Sequence, residues 1–177
     1  MRLLSRRLHA SLLVVAACAA AITTCYAQEP QPIRRPEGSV MPVKASDAAM
    51  NAAIADAQRN LHVFWSLFDS RRAGFADYRV KVVYPIPGGW EAMWIEPTVH
   101  RGDVIEGVLT DDSAFRADLK KGLTVHVTAS QVVDWSYSHN GQLWGSFTTV
   151  LLFGEMTPDE ASFMRSVLGP TRVEPGV

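Results

Sequence analysis

The chain has 177 residues, 17 of them Lys or Arg and 18 Asp or Glu, for a formal charge of −1 at pH 7. That balance, without clustered basic residues, argues against a nucleic-acid surface, which needs Lys and Arg to neutralise phosphates. It also leaves no polybasic patch for an anionic membrane, and the two cysteines, Cys18 and Cys25, provide no disulfide framework for a folded domain.

Residues 1–27 read as an export signal. Arg2, Arg6 and Arg7 make a basic start, and an apolar run extends from Leu12 to Ile22. Cys25 and Ala27 put short side chains at the minus-three and minus-one positions of a cleavage site, so cleavage is expected between Ala27 and Gln28. The run is shorter than the roughly 20 residues a membrane-spanning helix needs. A periplasmic or secreted protein is the expectation. A second reading stands beside it: Val15-Ala16-Ala17-Cys18 has the form of a lipobox, in which Cys18 is lipidated and tethers the protein to a membrane. Arg6-Arg7 has the twin-arginine arrangement, but His9 stands where that motif prefers Phe. Conventional cleavage removes three arginines and both cysteines. About 150 residues then remain, with 14 basic against 18 acidic side chains, a charge of about −4 and no thiol. That length fits one domain with its own core.

Residues 28–45 hold four prolines and few large apolar groups, the composition of an extended linker. A single domain is expected over 46–170, with a flexible tail over 171–177. It opens with a helix over about 47–68, for which Ser46 is a suitable cap. Met50, Ile54, Ala57, Leu61, Phe64, Trp65 and Phe68 recur at spacings of three and four and form one apolar stripe. The period then changes to two. Tyr78, Val80, Val82 and Tyr84 alternate with polar residues in a half-buried strand, and Pro85, Pro87, Gly88 and Gly89 turn it into a second over 90–95. Further strands are expected over 103–109, 123–128, 132–137 and 142–152. Asn140-Gly141 supplies a type I′ hairpin, and Gly145 suggests a bulge or bend. Thr157, Pro158 and Glu160 form a helix start with a capping box, and Gly169-Pro170 end that short helix. The fold class is therefore α+β: an N-terminal amphipathic helix packed on a curved, mainly antiparallel sheet of about six strands, with a short C-terminal helix.

Several strings carry a resemblance as an ordered set. They are Tyr78-Arg79-Val80-Lys81, Trp90-Glu91-Ala92-Met93-Trp94-Ile95, Gly107-Val108-Leu109, Lys121-Gly122, Val133-Asp134-Trp135 and Gly145-Ser146-Phe147-Thr148. Following a helix that begins Asp47-Ala48-Ala49-Met50, they resemble the YegJ-like family of bacterial proteins, a domain of unknown function (DUF 2314). The resemblance covers about residues 46–153 and implies a compact α+β domain, often exported, with no assigned activity. One departure is that Asp111-Asp112-Ser113 stands where a short Asn-Pro turn is expected.

Glu91, Trp94, Asp134, Trp135, Tyr137 and Trp144 are the candidate binding residues, because carboxylates beside aromatic rings on one sheet face suit a glycan or peptide. With Glu106 they also suggest acid–base chemistry on a glycan, as in a cell-envelope hydrolase. The plainer reading puts Trp135 and Tyr137 in the core and Asp134 on backbone amides near a strand end. His62, His100, His126 and His139 lack the pair spacing of a metal site. No nucleophile elbow, phosphate loop or catalytic triad is legible. The expectation is a non-enzymatic binding or interaction module without cofactor or metal, whose partner is another envelope protein, a peptide or a glycan. It would meet a membrane only through Cys18.

Overall fold

A computed structural model of the protein describes residues 47–87 and 89–177. The signal and linker expected over 1–45, with Cys18, Ala27 and Gln28, lie outside the described residues, as do Ser46 and Gly88. The described chain is α+β: three α-helices and a six-stranded antiparallel sheet.

The first helical stretch is two helices rather than one. α1 (Ala48–Arg59) is capped by Asp47, whose carboxylate accepts from the amides of Ala49 and Met50 at 3.0 Å each. At Asn60 the backbone leaves helical geometry (φ −98°, ψ 5°), and the Asn60 side-chain amide turns back onto the Asp56 carbonyl at 2.8 Å. A side chain that competes for main-chain acceptors in this way interrupts a helix without altering its apolar spacing. α2 (Leu61–Ser70) follows and ends at Arg71 in the left-handed region (φ 50°).

The strands are β1 (Phe75–Ile86), β2 (Gly89–Arg101), β3 (Val104–Leu109), β4 (Thr124–Thr128), β5 (Val132–His139) and β6 (Gln142–Gly145), ordered β4-β3-β2-β1-β5-β6. A 3-10 turn, Ala129–Gln131, joins β4 to β5, and the Gln131 side chain donates to the Val83 carbonyl of β1. The sheet is open and not strongly curled, where a curved one was expected: its edge strands, β4 and β6, do not pair. β6 is short because Gly145 (φ 80°) and Ser146 (φ 57°) take the chain out of strand geometry. The strand expected over 142–152 therefore ends at Gly145 and gives way to a 3-10 turn, Thr149–Leu152. α3 (Pro158–Val167) starts with the capping box of Thr157 and Glu160.

Strand parity divides the sheet into two faces. Val80, Val82 and Tyr84 of β1, Met93 and Ile95 of β2, and Trp135 and Tyr137 of β5 are buried toward α1 and α2. The Trp135 indole N–H donates to the Ala57 carbonyl at 2.8 Å, in the last turn of α1, where helix carbonyls lose their intrahelical partners. Phe64 lies 5.8 Å from the Trp135 ring and 5.6 Å from Tyr78, so the apolar stripe of α2 meets β1 and β5 directly. The segment after α3 also docks on the sheet. The Leu143 carbonyl accepts from Gly169 N, and Gly145 N donates to the Arg172 carbonyl at 2.7 Å, so residues 171 and 172, expected in a tail, lie along β6.

Candidate functional site

The sheet face turned away from α1 and α2 carries the polar residues of the same strands. Lys81 of β1 stands opposite Trp94 of β2 on one side and Asp134 of β5 on the other. Asp134 is fully buried. One carboxylate oxygen accepts from Trp135 N (2.8 Å) and Phe147 N (3.0 Å), and the other from the Thr148 amide (2.9 Å) and hydroxyl (2.6 Å). Buried carboxylate oxygens need hydrogen-bond donors, and the Gly145-Ser146-Phe147-Thr148 turn provides most of them. The positive φ angles at Gly145 and Ser146 aim the next two amides at Asp134. Lys81 completes the group: its ammonium donates to the Thr148 hydroxyl at 3.1 Å and lies 4.7 Å from the centre of the Trp94 ring.

The Asp134 side of this group is covered by the 145–149 segment, and the β1–β3 side is more open. On the helix side Val82, Met93, Ile95 and Leu109 are buried, whereas Lys81, Val83, Trp94 and Val108 on the opposite side are only half-buried. Two cross-strand pairs flank them: Arg79 with Glu96 at 3.2 Å, and His126 with Glu106 at 3.8 Å. A Trp-centred apolar strip with a polar rim has the composition of an interface core and its surround.

The other candidate residues do not join Trp94 and Asp134. Trp135 and Tyr137 are fully buried on the helix side, and Trp144, opposite Tyr137 on β6, is buried with them. Burial and the neighbouring Glu174 carboxylate push the Tyr137 hydroxyl far above its ordinary pKa of 10.0. Glu91 is also on the helix side, opposite Tyr84 and 1% exposed. Its carboxylate accepts from the Ser113 hydroxyl and, at 2.8 Å, from Ala114 N. Ser113 lies in the Asp111-Asp112-Ser113 turn, which thereby secures a buried carboxylate. Burial raises the pKa of the adjacent Tyr84 hydroxyl, with Arg116 acting in the opposite direction.

The three carboxylates considered for hydrolysis are therefore not paired. Glu91 and Asp134 occupy opposite faces with their oxygens taken. Glu106 shares a face with Asp134, but β2 and β1 separate their strands, about 14 Å at ordinary strand spacing, beyond the reach of a glycosidase pair. Among the described residues no three His, Cys, Asp or Glu side chains gather as a metal site. His100 and His139 are instead stacked on Trp65 and Phe75, with a ring nitrogen at 2.9 Å from Asp69 and 2.8 Å from Glu174. Sequence reasoning passed over Lys81 and Thr148. Both lay in strings that carried the resemblance, which was the available signal.

The family described as "Uncharacterized protein conserved in bacteria (DUF2314)" matches residues 47–169, and the chain belongs to it. The matched span holds every strand of the sheet and the whole Lys81–Trp94–Asp134–Thr148 group. The chain is also similar to a protein of Neisseria meningitidis serogroup B provisionally named an ankyrin repeat protein, 29% identical over 142 residues. The match covers 76% of this chain and 56% of that relative, so the chain spans little more than half of the relative's length. No solved structure matches the chain.

Proposed function

We propose that this member of the family is a non-enzymatic binding module exported from the cytoplasm, and that it takes a peptide or a segment of another envelope protein on the open sheet face around Trp94. The observation that carries the reading is the contrast between the faces: one is covered by α1, α2 and the 110–121 loop, and the other presents a half-buried Trp94, Val83 and Val108 between the Arg79–Glu96 and His126–Glu106 pairs. The internal occupation of Glu91 and Asp134 points the same way, since carboxylates engaged by backbone amides are scaffold. Export rests on the basic start, apolar run and cleavage site of residues 1–27, with Cys18 as the alternative point of attachment. Among the described residues no helix is long and apolar enough to cross a membrane.

The test is capture from a bacterial envelope extract with the protein and its Trp94→Ala variant, each also followed by thermal shift. A partner held by the wild type and released by Trp94→Ala, with the melting temperature nearly unchanged, supports the reading. Capture that ignores Trp94, or recovery of no partner, overturns it. Mass spectrometry of the N-terminus tests export: a chain beginning at Gln28 supports conventional cleavage, a lipidated Cys18 the tether, and an intact Met1 neither.

A further inference from the structure

The two edges of the sheet are treated differently. Along β6 the chain after α3 runs as a cover, with a parallel bridge between Leu143 and Leu168 and main-chain bonds from Gly169 N to Leu143 O and from Gly145 N to Arg172 O. Along β4, among the described residues, no strand or segment lies beyond the ladder with β3. Nor does β4 carry the usual edge protections of a lysine, a proline or a bulge: its five residues pair with β3 in unbroken register.

The main-chain groups facing outward follow from those facing inward. Leu109 N donates to Leu123 O, and Ala129 N donates to Asp103 O, so the odd-numbered residues bond toward β3. N–H and C=O of one residue leave a strand on the same side, and the side alternates. Thr124, His126 and Thr128 therefore point theirs away from the sheet. The Thr128 amide is taken by the Gln131 side chain at 3.0 Å. Both groups of Thr124, both of His126 and the Thr128 carbonyl remain directed outward.

The sequence of this edge is Thr124-Val125-His126-Val127-Thr128, which reads the same in both directions. We propose that β4 pairs antiparallel with β4 of a second copy, about a two-fold axis through His126. A two-fold interface must be self-complementary, and a palindromic edge strand meets that condition residue by residue. His126 meets His126 of the second copy, each Val125 meets a Val127, and each Thr124 meets a Thr128. The outward groups then exchange four main-chain hydrogen bonds. The register continues past the strand: Leu123, 41% exposed here, comes opposite Ala129 of the second copy. On the other face Glu106 lies beside His126 at 3.8 Å, so each imidazole at the axis is backed by a carboxylate.

The experiment is sedimentation of the full chain over a concentration series, with two variants. A reversible monomer–dimer equilibrium is expected. His126→Lys sets two ammonium groups opposite one another and loosens the dimer about five-fold. His126→Pro removes an N–H that takes no part in the β3 ladder, so it abolishes the dimer while the thermal transition persists. Oxidation of His126→Cys yields a disulfide that peptide mapping places between two copies at position 126, apart from the native Cys18 and Cys25. A monomer at every concentration, or a dimer indifferent to His126→Lys, overturns the proposal.

Discussion

Thr148 is bonded to Asp134 twice, through its amide at 2.9 Å and through its hydroxyl at 2.6 Å, while the same hydroxyl accepts from Lys81. A carboxylate buried in β5 thus organises a turn 14 residues on and, through Thr148, a lysine whose ammonium lies 4.7 Å from the Trp94 ring on the neighbouring strand. Asp134→Asn replaces one acceptor oxygen with an amide that must face existing donors. Leaving buried donors unsatisfied costs about 1–3 kcal/mol each, so the variant is expected to lose roughly 2–4 kcal/mol, read as a lower urea midpoint with little change in slope. A loss below about 0.5 kcal/mol, the scale of an ordinary surface substitution, contradicts the account.

Gly145 is required for a separate reason. Its φ is 80°, and a Cβ there would lie 2.2 Å from the Trp135 carbonyl oxygen and 2.5 Å from the Trp135 ring. The obstacle includes main chain, which cannot rotate aside. Gly141 also has positive φ (73°), but a Cβ there meets nothing within 4 Å. Gly141→Ala is expected to cost about 1–2 kcal/mol, the left-handed penalty alone. Gly145→Ala adds overpacking, for a total on the order of 3–5 kcal/mol. Equal losses in parallel thermal melts would show that the Trp135 contact is immaterial.

These features differ in how far one sequence discloses them. Period-two spacing at Tyr78, Val80, Val82 and Tyr84, the Asn140-Gly141 turn and the Thr157–Glu160 box are local signals, and the structure contains each of them. The break at Asn60 was hidden because the apolar stripe keeps its spacing across it. Parity separates Asp134 from Trp135, since successive strand residues face opposite ways, and so separates part of the candidate set. The bond from Lys81 to Thr148 spans 67 residues and joins a strand to an irregular turn, for which no local period exists. Lys81 therefore reads, from sequence, as one more solvated residue between valines.

The 110–121 loop is held to the sheet by Glu91 and closed by Asp112. Ser113→Ala leaves the buried Glu91 with one donor, Ala114 N, and is expected to destabilise the protein by about 1–3 kcal/mol. Amide exchange is expected to quicken first within the loop. Asp112 is exposed, and its pKa is lowered from the ordinary 3.8 by the Lys121 amide and the Lys120 side chain. A carboxyl more acidic in the folded than in the unfolded chain favours the fold when ionised. Its help is complete above the unfolded value and fades as pH falls through the folded one. Below about pH 4 the Lys121 amide should lose protection, and Asp112→Ala should remove that pH dependence. A Lys121 amide equally protected at all acid pH values would refute the role given to Asp112.

At the alkaline end the tyrosines act together. Tyr78, Tyr84 and Tyr137 all have pKa values raised above 10.0, with burial as the first cause in each. In Tyr137 the Glu174 carboxylate adds to burial, whereas Arg71 opposes it at Tyr78 and Arg116 at Tyr84. A neutral hydroxyl that resists ionisation in the fold lets the unfolded chain release its protons first. Stability is therefore intact below about pH 10 and falls as pH rises through the folded values. Tyrosinate absorbance should increase together with loss of near-ultraviolet circular dichroism, because these rings ionise when the core opens. Tyr137→Phe keeps the ring in its stack with Trp135 at 6.0 Å and removes the hydroxyl, so it should shift the alkaline transition upward and leave the neutral fold in place. Tyrosinate formation that runs ahead of the dichroism change would mean the hydroxyls reach water in the folded protein, and would undo the assignment of Tyr137 to a sealed core.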